Sequence, residues 1–303
     1  MGKGIAKTLF AAAGILTALT GVSGFGFADF VMSGGKRQTL DEARRWQEDH
    51  YDISWYDGLQ KEEYIAEGYE GYGLHTVFCK NPMESGKYVI LTHGYTDNRF
   101  GSLKYMKIYL DRGYNCIVYD LRGHGENEKT WTSYGVYEGR DLARLIEDTR
   151  KRYDNIEVLG LHGESLGSAA TISALGLTQD VDFAVCDCGF SDIWNVLMGA
   201  FPNEAIGSAA LRISSLCAKQ RYGVGFSEMT PIDGLQENKV PLLLLHGEKD
   251  TFILPDNSFR MYDMTEGYRE IHLIPGAAHA NSVLTEPALY AKYVNSFLEE
   301  IGK

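Results

Sequence analysis

Ser165 lies between two glycines in residues 163–167 (GESLG). The preceding residues 156–163 (IEVLGLHG) form the apolar run of a buried strand, and residues 167–175 (GSAATISAL) are small and apolar, as in a helix packed against a sheet. A strand, a tight turn and a helix form a nucleophile elbow, in which the glycines leave room for the turn and the serine hydroxyl projects from the sheet edge. The pattern therefore predicts that Ser165 is a nucleophile.

Four other motifs lie at the ends of predicted strands. They are residues 93–95 (HGY), 120–125 (DLRGHG), 246–250 (HGEKD) and 276–279 (GAAH). With the elbow, and in this order, these motifs resemble those of the α/β-hydrolase family, in particular its lidded serine esterases and serine aminopeptidases. The resemblance covers about residues 50–303. It implies that HGY is an oxyanion loop, that HGEKD carries the catalytic acid and that GAAH carries the catalytic base.

The base can also be argued from the residues themselves. A serine hydroxyl is a weak nucleophile, so it needs a histidine to take its proton and a carboxylate to orient that histidine. Of the eight histidines, three follow Ser165, as the order serine, acid, histidine of this fold requires. His246 lies just before the proposed acid, and His272 lies among apolar residues in a strand. His279, in a loop of small residues, is therefore the predicted base.

The predicted acid is Asp250. It follows the strand at residues 241–248 (PLLLLHGE) and can converge with His279 at one edge of the sheet. Asp187, at the end of the preceding strand, is the alternative, and Glu248 is a further one.

The predicted reaction is acyl transfer to the serine. Ser165 attacks an acyl carbonyl while His279 removes its proton, and the backbone N–H groups of Tyr95 and Leu166 stabilise the oxyanion. Water then hydrolyses the acyl-enzyme by the same route. This chemistry uses protein groups throughout, so no cofactor is expected.

Two charged residues within the motifs are not expected to be catalytic. Glu164 occupies the variable position of the elbow, and we expect it to be an ordinary polar residue or to lie at the rim of the substrate pocket. Arg122, in the DLRGHG turn, is expected to brace loops rather than to contact the substrate.

The elements that must position these residues alternate between β-rich and helical runs. Apolar runs predict buried strands at residues 87–94 and 115–120, and further strands are expected at residues 156–163, 182–189, 241–248 and 269–276. Antiparallel edge strands are expected at residues 62–67 and 73–80, and helices at residues 40–49, 102–114, 139–153 and 287–301. This alternation predicts an α/β fold, a mostly parallel twisted sheet with helices on both faces, which is the α/β-hydrolase fold.

One domain is expected over residues 40–303, with a single interruption. Residues 190–236 contain no clear strand but include Trp194, Met198 and Phe201. We expect a helical lid insertion there that lines a substrate pocket, and two ordinary packing helices are the alternative.

The charge and cysteine content of the chain argue against nucleic acid, disulfides and metal ions. The chain has 41 acidic and 29 basic residues and a net charge of −12, which repels phosphate backbones, so no nucleic acid partner is expected. Its five cysteines are an odd number and three lie in strand-like runs, which predicts buried thiols rather than disulfides. Cys186 and Cys188 alone are too few ligands for a zinc site, and no metal is expected.

Residues 1–28 form a separate unit in the sequence. Two lysines precede an uncharged run over residues 8–28. About 20 such residues match the thickness of the hydrocarbon core of a bilayer, and the lysines favour a cytoplasmic amino end. This predicts a membrane anchor that leaves the domain outside the cytoplasm. The alternatives are a signal peptide cleaved near Asp29, which would make the protein secreted, and a buried N-terminal helix.

The sequence therefore predicts an extracytoplasmic serine hydrolase that cleaves carboxylic esters. Its partners would be a small ester or short peptide and, through the N-terminal segment, the membrane. Peptide cleavage is the alternative within the enzyme class, because related lidded hydrolases include aminopeptidases. A catalytically silent binding protein on the same fold is the alternative from another class.

Overall fold

The computed structural model describes residues 24–303, which form one sheet covered by helices on both faces. The strands in this range are β1 (Lys61–Glu67), β2 (Gly73–Cys79), β3 (Lys87–Thr92), β4 (Asn115–Tyr119), β5 (Val158–Glu164), β6 (Phe183–Asp187), β7 (Leu242–Gly247) and β8 (Arg269–Ile274). The α-helices in this range are α1 (Gly24–Ser33), α2 (Leu40–His50), α3 (Leu103–Leu110), α4 (Val136–Arg152), α5 (Leu166–Leu175), α6 (Ile193–Met198), α7 (Glu204–Tyr222), α8 (Asp256–Met264), α9 (Ser282–Thr285) and α10 (Pro287–Glu300).

The sheet is mostly parallel, in the order β1-β2-β4-β3-β5-β6-β7-β8. β1 pairs antiparallel with β2, and β2 pairs antiparallel with β4. From β4 to β8 every neighbouring pair is parallel. The predicted fold class is confirmed. Because the carboxyl ends of parallel strands meet at one edge of the sheet, the loops after β5, β7 and β8 converge there.

Each face of the sheet has its own hydrophobic core, because successive residues of a strand point to opposite sides. In β3, Ile90 packs in the core that includes residues of α4 and α5. Its neighbours Val89 and Leu91 pack in the opposite core, with residues of α3 and α10. The apolar runs that predicted these strands are continuous because both faces are buried.

The predicted insertion at residues 190–236 is helical. It contains α6, α7 and two short 3₁₀ turns, Phe226–Glu228 and Pro231–Leu235. α7 packs against α6 and also against α1, so the insertion and the N-terminal helix form one layer over the domain.

The predicted N-terminal unit is described only from Gly24 onward. Residues 1–23, which hold most of the predicted anchor or signal segment, lie outside the described residues. Residues 24–28, predicted to belong to that separate unit, instead begin α1, where Phe27 and Ala28 are 3% and 0% exposed. These side chains pack in the core of the domain, and the anchor or signal segment over residues 1–23 stays a prediction. Within residues 24–303, no helix is both long and apolar enough to cross a membrane.

Phe27 gives a direct test of this packing. Its ring centroid lies 6.1 Å from that of Phe201 and 6.3 Å from that of Phe226. Phe27→Ala would leave a cavity, so we expect the free energy of unfolding to fall by about 3 kcal/mol in a urea titration. Phe259, which is 44% exposed, is the matched control, and Phe259→Ala should cost less than about 1 kcal/mol. Equal effects of the two substitutions would contradict the burial of α1.

Candidate active site

Ser165 lies in a strained turn between β5 and α5. Its backbone has a φ of 53° and a ψ of −109°, which residues with side chains rarely adopt. Both flanking glycines are required by close backbone contacts. A Cβ atom on Gly163 would lie 2.2 Å from the carbonyl oxygen of Gly167, and one on Gly167 would lie 2.2 Å from that of Thr92. The turn has the geometry of a nucleophile elbow.

Ser165, His279 and Asp250 are joined by one chain of hydrogen bonds. Ser165 Oγ lies 3.0 Å from His279 Nε2, and His279 Nδ1 lies 2.6 Å from Asp250 Oδ2. The three residues come from the loops after β5, β8 and β7, at the carboxyl edge of the sheet. At these distances an imidazole can take a hydroxyl proton while its other nitrogen donates to a carboxylate.

The carboxylate of Asp250 is buried and fully hydrogen-bonded. Its Oδ1 accepts the N–H groups of Phe252 and Ile253 at 2.8 and 3.0 Å, and His246 Nε2 lies 3.3 Å from Oδ2. Burial opposes the charge, but the hydrogen bonds from His246 and His279 outweigh it and hold the pKa of Asp250 well below its ordinary value. Asp250 therefore stays ionised at neutral pH, as a residue that orients His279 must.

The two alternative acids have other partners. Asp187 Oδ1 accepts a hydrogen bond from Ser282 Oγ at 3.1 Å, and Oδ2 lies 3.0 Å from the hydroxyl oxygen of Tyr105. Burial raises the pKa of Asp187 to about 6. Glu248 is exposed at the surface. Neither carboxylate takes the place of the acid beside His279.

The two predicted oxyanion donors lie next to the nucleophile. Leu166 begins α5, so its N–H is one of those at a helix N-terminus that have no carbonyl acceptor within the helix. Gly94, just before Tyr95, passes so close to the elbow that a Cβ atom on it would lie 3.7 Å from Ser165 Cβ. The backbone on both sides of the predicted oxyanion position is therefore near Ser165, where such donors are needed.

The DLRGHG turn contacts the predicted oxyanion loop. A ring nitrogen of His124 lies 2.6 Å from the carbonyl oxygen of Tyr95, and burial lowers the pKa of His124 to about 3, so the ring is neutral. Arg122 makes two hydrogen bonds to Asp141 on α4, at 2.8 and 2.7 Å. These contacts give Arg122 the bracing position that the sequence predicts.

The structure also contains neighbours of the site that the sequence analysis missed. The ring of Phe252 lies edge-on to the ring of His279, with centroids 5.0 Å apart, and the side chain is 42% exposed. The one indication in the sequence that Phe252 lies near the site is its position two residues after Asp250. Glu164, predicted at the pocket rim, is instead buried, because Lys104 pairs with its carboxylate. No local spacing predicts that contact, since the two residues are far apart in the sequence.

Comparison with known families fits this geometry. The sequence profile of the prolyl oligopeptidase family, Peptidase_S9, matches residues 100–299. That range covers most of the chain and includes Ser165, Asp250 and His279. The chain belongs to the prolyl oligopeptidase family. The predicted resemblance to α/β hydrolases is confirmed, and this member of the prolyl oligopeptidase family is a serine hydrolase of the α/β-hydrolase type.

Solved structures with a similar fold include an esterase and a peptidase. The chain is 27% identical to the protein YqkD of Bacillus subtilis over 304 residues, which is 98% of each chain. Among solved structures, an esterase of Pyrococcus furiosus aligns with a TM-score of 0.64 and 22% identity over 80% of this chain and 92% of the esterase. The acylaminoacyl peptidase of Pyrococcus horikoshii aligns with a TM-score of 0.61 and 17% identity over 82% of this chain and 43% of the peptidase. The two structural alignments show a shared fold.

Proposed function

We propose that this member of the prolyl oligopeptidase family hydrolyses carboxylic esters, with Ser165 as the nucleophile, His279 as the base and Asp250 as the acid. The observation that carries the proposal is the continuous chain of contacts from Ser165 Oγ to His279 Nε2 at 3.0 Å and from His279 Nδ1 to Asp250 Oδ2 at 2.6 Å. All three groups have the distances and the order that this chemistry needs.

The proposed reaction follows from the proton positions. His279 Nδ1–H donates to ionised Asp250, which leaves Nε2 free to accept the hydroxyl proton of Ser165. Ser165 Oγ attacks the acyl carbon, and the N–H groups of Tyr95 and Leu166 stabilise the oxyanion. The protonated His279 then gives its proton to the departing alcohol. Water, deprotonated by His279, attacks the acyl carbon; the bond to Ser165 Oγ then breaks, His279 returns the proton to Oγ, and the acid leaves.

Two observations support esters over peptides as substrates. The alignment covers 92% of the Pyrococcus furiosus esterase but 43% of the Pyrococcus horikoshii peptidase. An aromatic side chain also lies at the site, because the ring of Phe252 is beside His279 and is 42% exposed. An aromatic side chain at the site suits a substrate with an apolar acyl or aryl group. Residues 190–236 are the proposed lid. The family match keeps short peptides as the second candidate.

Matched substrates separate these candidates. We expect kcat/KM for p-nitrophenyl butyrate to exceed that for alanine p-nitroanilide by at least about 100-fold, because an apolar rim favours an uncharged acyl group over an ammonium group. Both rates are measured by release of the chromophore from the purified full-length chain, with Ser165→Ala as the blank. A higher kcat/KM for the anilide would replace the ester proposal with an aminopeptidase.

We also propose that the domain lies outside the cytoplasm, held at the membrane by the uncharged run that begins at Thr8. The burial of Phe27 and Ala28 favours retention of this segment, because cleavage near Asp29 would remove both side chains from the core. The full-length protein is expected to stay with membranes after a high-salt wash and to be digested by protease added to intact cells. Released protein that begins near Asp29 would contradict the anchor.

A further inference from the structure

A buried charge pair lies directly beneath the nucleophile elbow. The ammonium of Lys104, on α3, pairs with the carboxylate of Glu164, and the two side chains are 4% and 6% exposed. The hydroxyl of Tyr105 donates a hydrogen bond to the same carboxylate. The Lys104 ammonium also lies 5.9 Å from the ring centroid of Trp46. These groups are shielded from solvent. Charges in such a protein interior interact more strongly than charges in water do.

The predicted oxyanion loop packs against the carboxylate of this pair at Gly94. A Cβ atom on Gly94 would lie 3.0 Å from Glu164 Oε1 and 3.7 Å from Ser165 Cβ. Gly94 immediately precedes Tyr95, whose N–H is a proposed oxyanion donor. The carboxylate of Glu164, the nucleophile and the proposed donor therefore meet around one glycine.

Other carboxyl groups close to the pair add to the negative field. Asp187 Oδ2 lies 3.0 Å from the Tyr105 hydroxyl oxygen, and Asp97 follows the HGY motif by two residues. Burial, together with the charge of Glu164, raises the pKa of each aspartate to about 6. Burial opposes the charge on Lys104, but the Glu164 carboxylate outweighs it and holds the pKa of Lys104 above its ordinary value. Lys104 thus stays cationic beside three carboxyl groups.

We propose that Lys104 is a positioning residue for ester hydrolysis, which neutralises the carboxylate of Glu164 beneath the oxyanion loop. This proposal rests on the assignment of Ser165 as the nucleophile and of the Tyr95 N–H as an oxyanion donor. Negative charge develops on the substrate oxygen in the transition state, and an unpaired carboxylate beneath Gly94 would repel it. Because the substrate itself is uncharged there, loss of the ammonium slows acyl transfer more than it weakens binding.

Kinetics of paired substitutions test this role in the full-length chain. Lys104→Met, Glu164→Gln and the double variant are assayed with p-nitrophenyl butyrate, and a fluorophosphonate probe counts the active sites so that each rate refers to folded enzyme. Lys107→Met is the matched control, because Lys107 lies on the same helix but is 51% exposed and pairs with Asp111.

The expected results are asymmetric. Lys104→Met should lower kcat roughly 10- to 100-fold with KM changed less than about threefold, as one uncompensated charge at an effective dielectric constant near 20 would do. Glu164→Gln and the double variant should keep kcat within about threefold of the wild type, because neither leaves the Glu164 carboxylate unpaired beside Gly94. Lys104→Arg, which retains the charge, should also retain kcat.

Two results would overturn the proposal. Equal losses of kcat in Lys104→Met and Glu164→Gln would mean that the pair serves folding alone, and so would a folded double variant as slow as Lys104→Met. Lys104→Gln repeats the test if the methionine variant does not fold. These outcomes differ from a failure of the proposed function, in which the wild type would show no fluorophosphonate adduct on Ser165.

Discussion

Ser165→Ala is expected to lower kcat for p-nitrophenyl butyrate by about 10⁶-fold, the loss seen when the nucleophile of a serine–histidine–aspartate set is removed. The residual rate would come from oxyanion stabilisation and substrate binding, which do not need the hydroxyl. Fold stability should hardly change, because alanine fills most of the serine volume and keeps the same backbone turn. Steady-state kinetics and a urea titration on the same preparation measure both quantities.

Ser296→Ala is the matched control for that substitution, since Ser296 is exposed and lies on α10, outside the insertion. It should leave kcat unchanged. If Ser165→Ala were well folded and retained more than about a tenth of the wild-type kcat, a different residue would have to be the nucleophile.

Asp250→Asn should cost about 10⁴-fold in kcat, because an amide in place of the carboxylate favours the wrong tautomer of the base. His279 Nδ1 lies 2.6 Å from Asp250 Oδ2, so it would face an amide group at the same place. The substitution preserves shape, and a pH profile of kcat/KM distinguishes the tautomer effect from unfolding.

Asp187→Asn is the informative comparison, because Asp187 is the other carboxylate that the sequence offers as the acid. Its oxygens contact Ser282 and Tyr105 rather than His279, and burial disfavours its charge by raising its pKa to about 6. We expect kcat to stay within about tenfold of the wild type. A large loss in Asp187→Asn with little loss in Asp250→Asn would reverse the assignment.

The candidate site is largely predictable because its geometry follows from local patterns and one topological rule. The elbow needs a strand, a turn and a helix in immediate succession, and all three are visible around Ser165. His279 and Asp250 each follow a strand by a few residues. Since parallel strands end at the same edge of a sheet, these loops converge even though the sequence does not give the strand order.

Other features depend on contacts between distant segments, and the sequence does not specify them. An uncharged run is equally compatible with lipid and with a protein core, so the place of Phe27 depends on Phe201 and Phe226, far along the chain. Glutamate is usually found at the protein surface, and the burial of Glu164 depends on its ion pair with Lys104. The sheet order, with β4 between β2 and β3, is likewise set by pairing rather than by local propensity.

Mass-spectrometric mapping of a fluorophosphonate adduct on the full-length protein tests most directly whether Ser165 is an activated nucleophile. We predict a single adduct on the peptide that contains Ser165, with labelling abolished in Ser165→Ala and strongly slowed in His279→Ala. An adduct on any other residue, or labelling that persists in Ser165→Ala, would contradict this account.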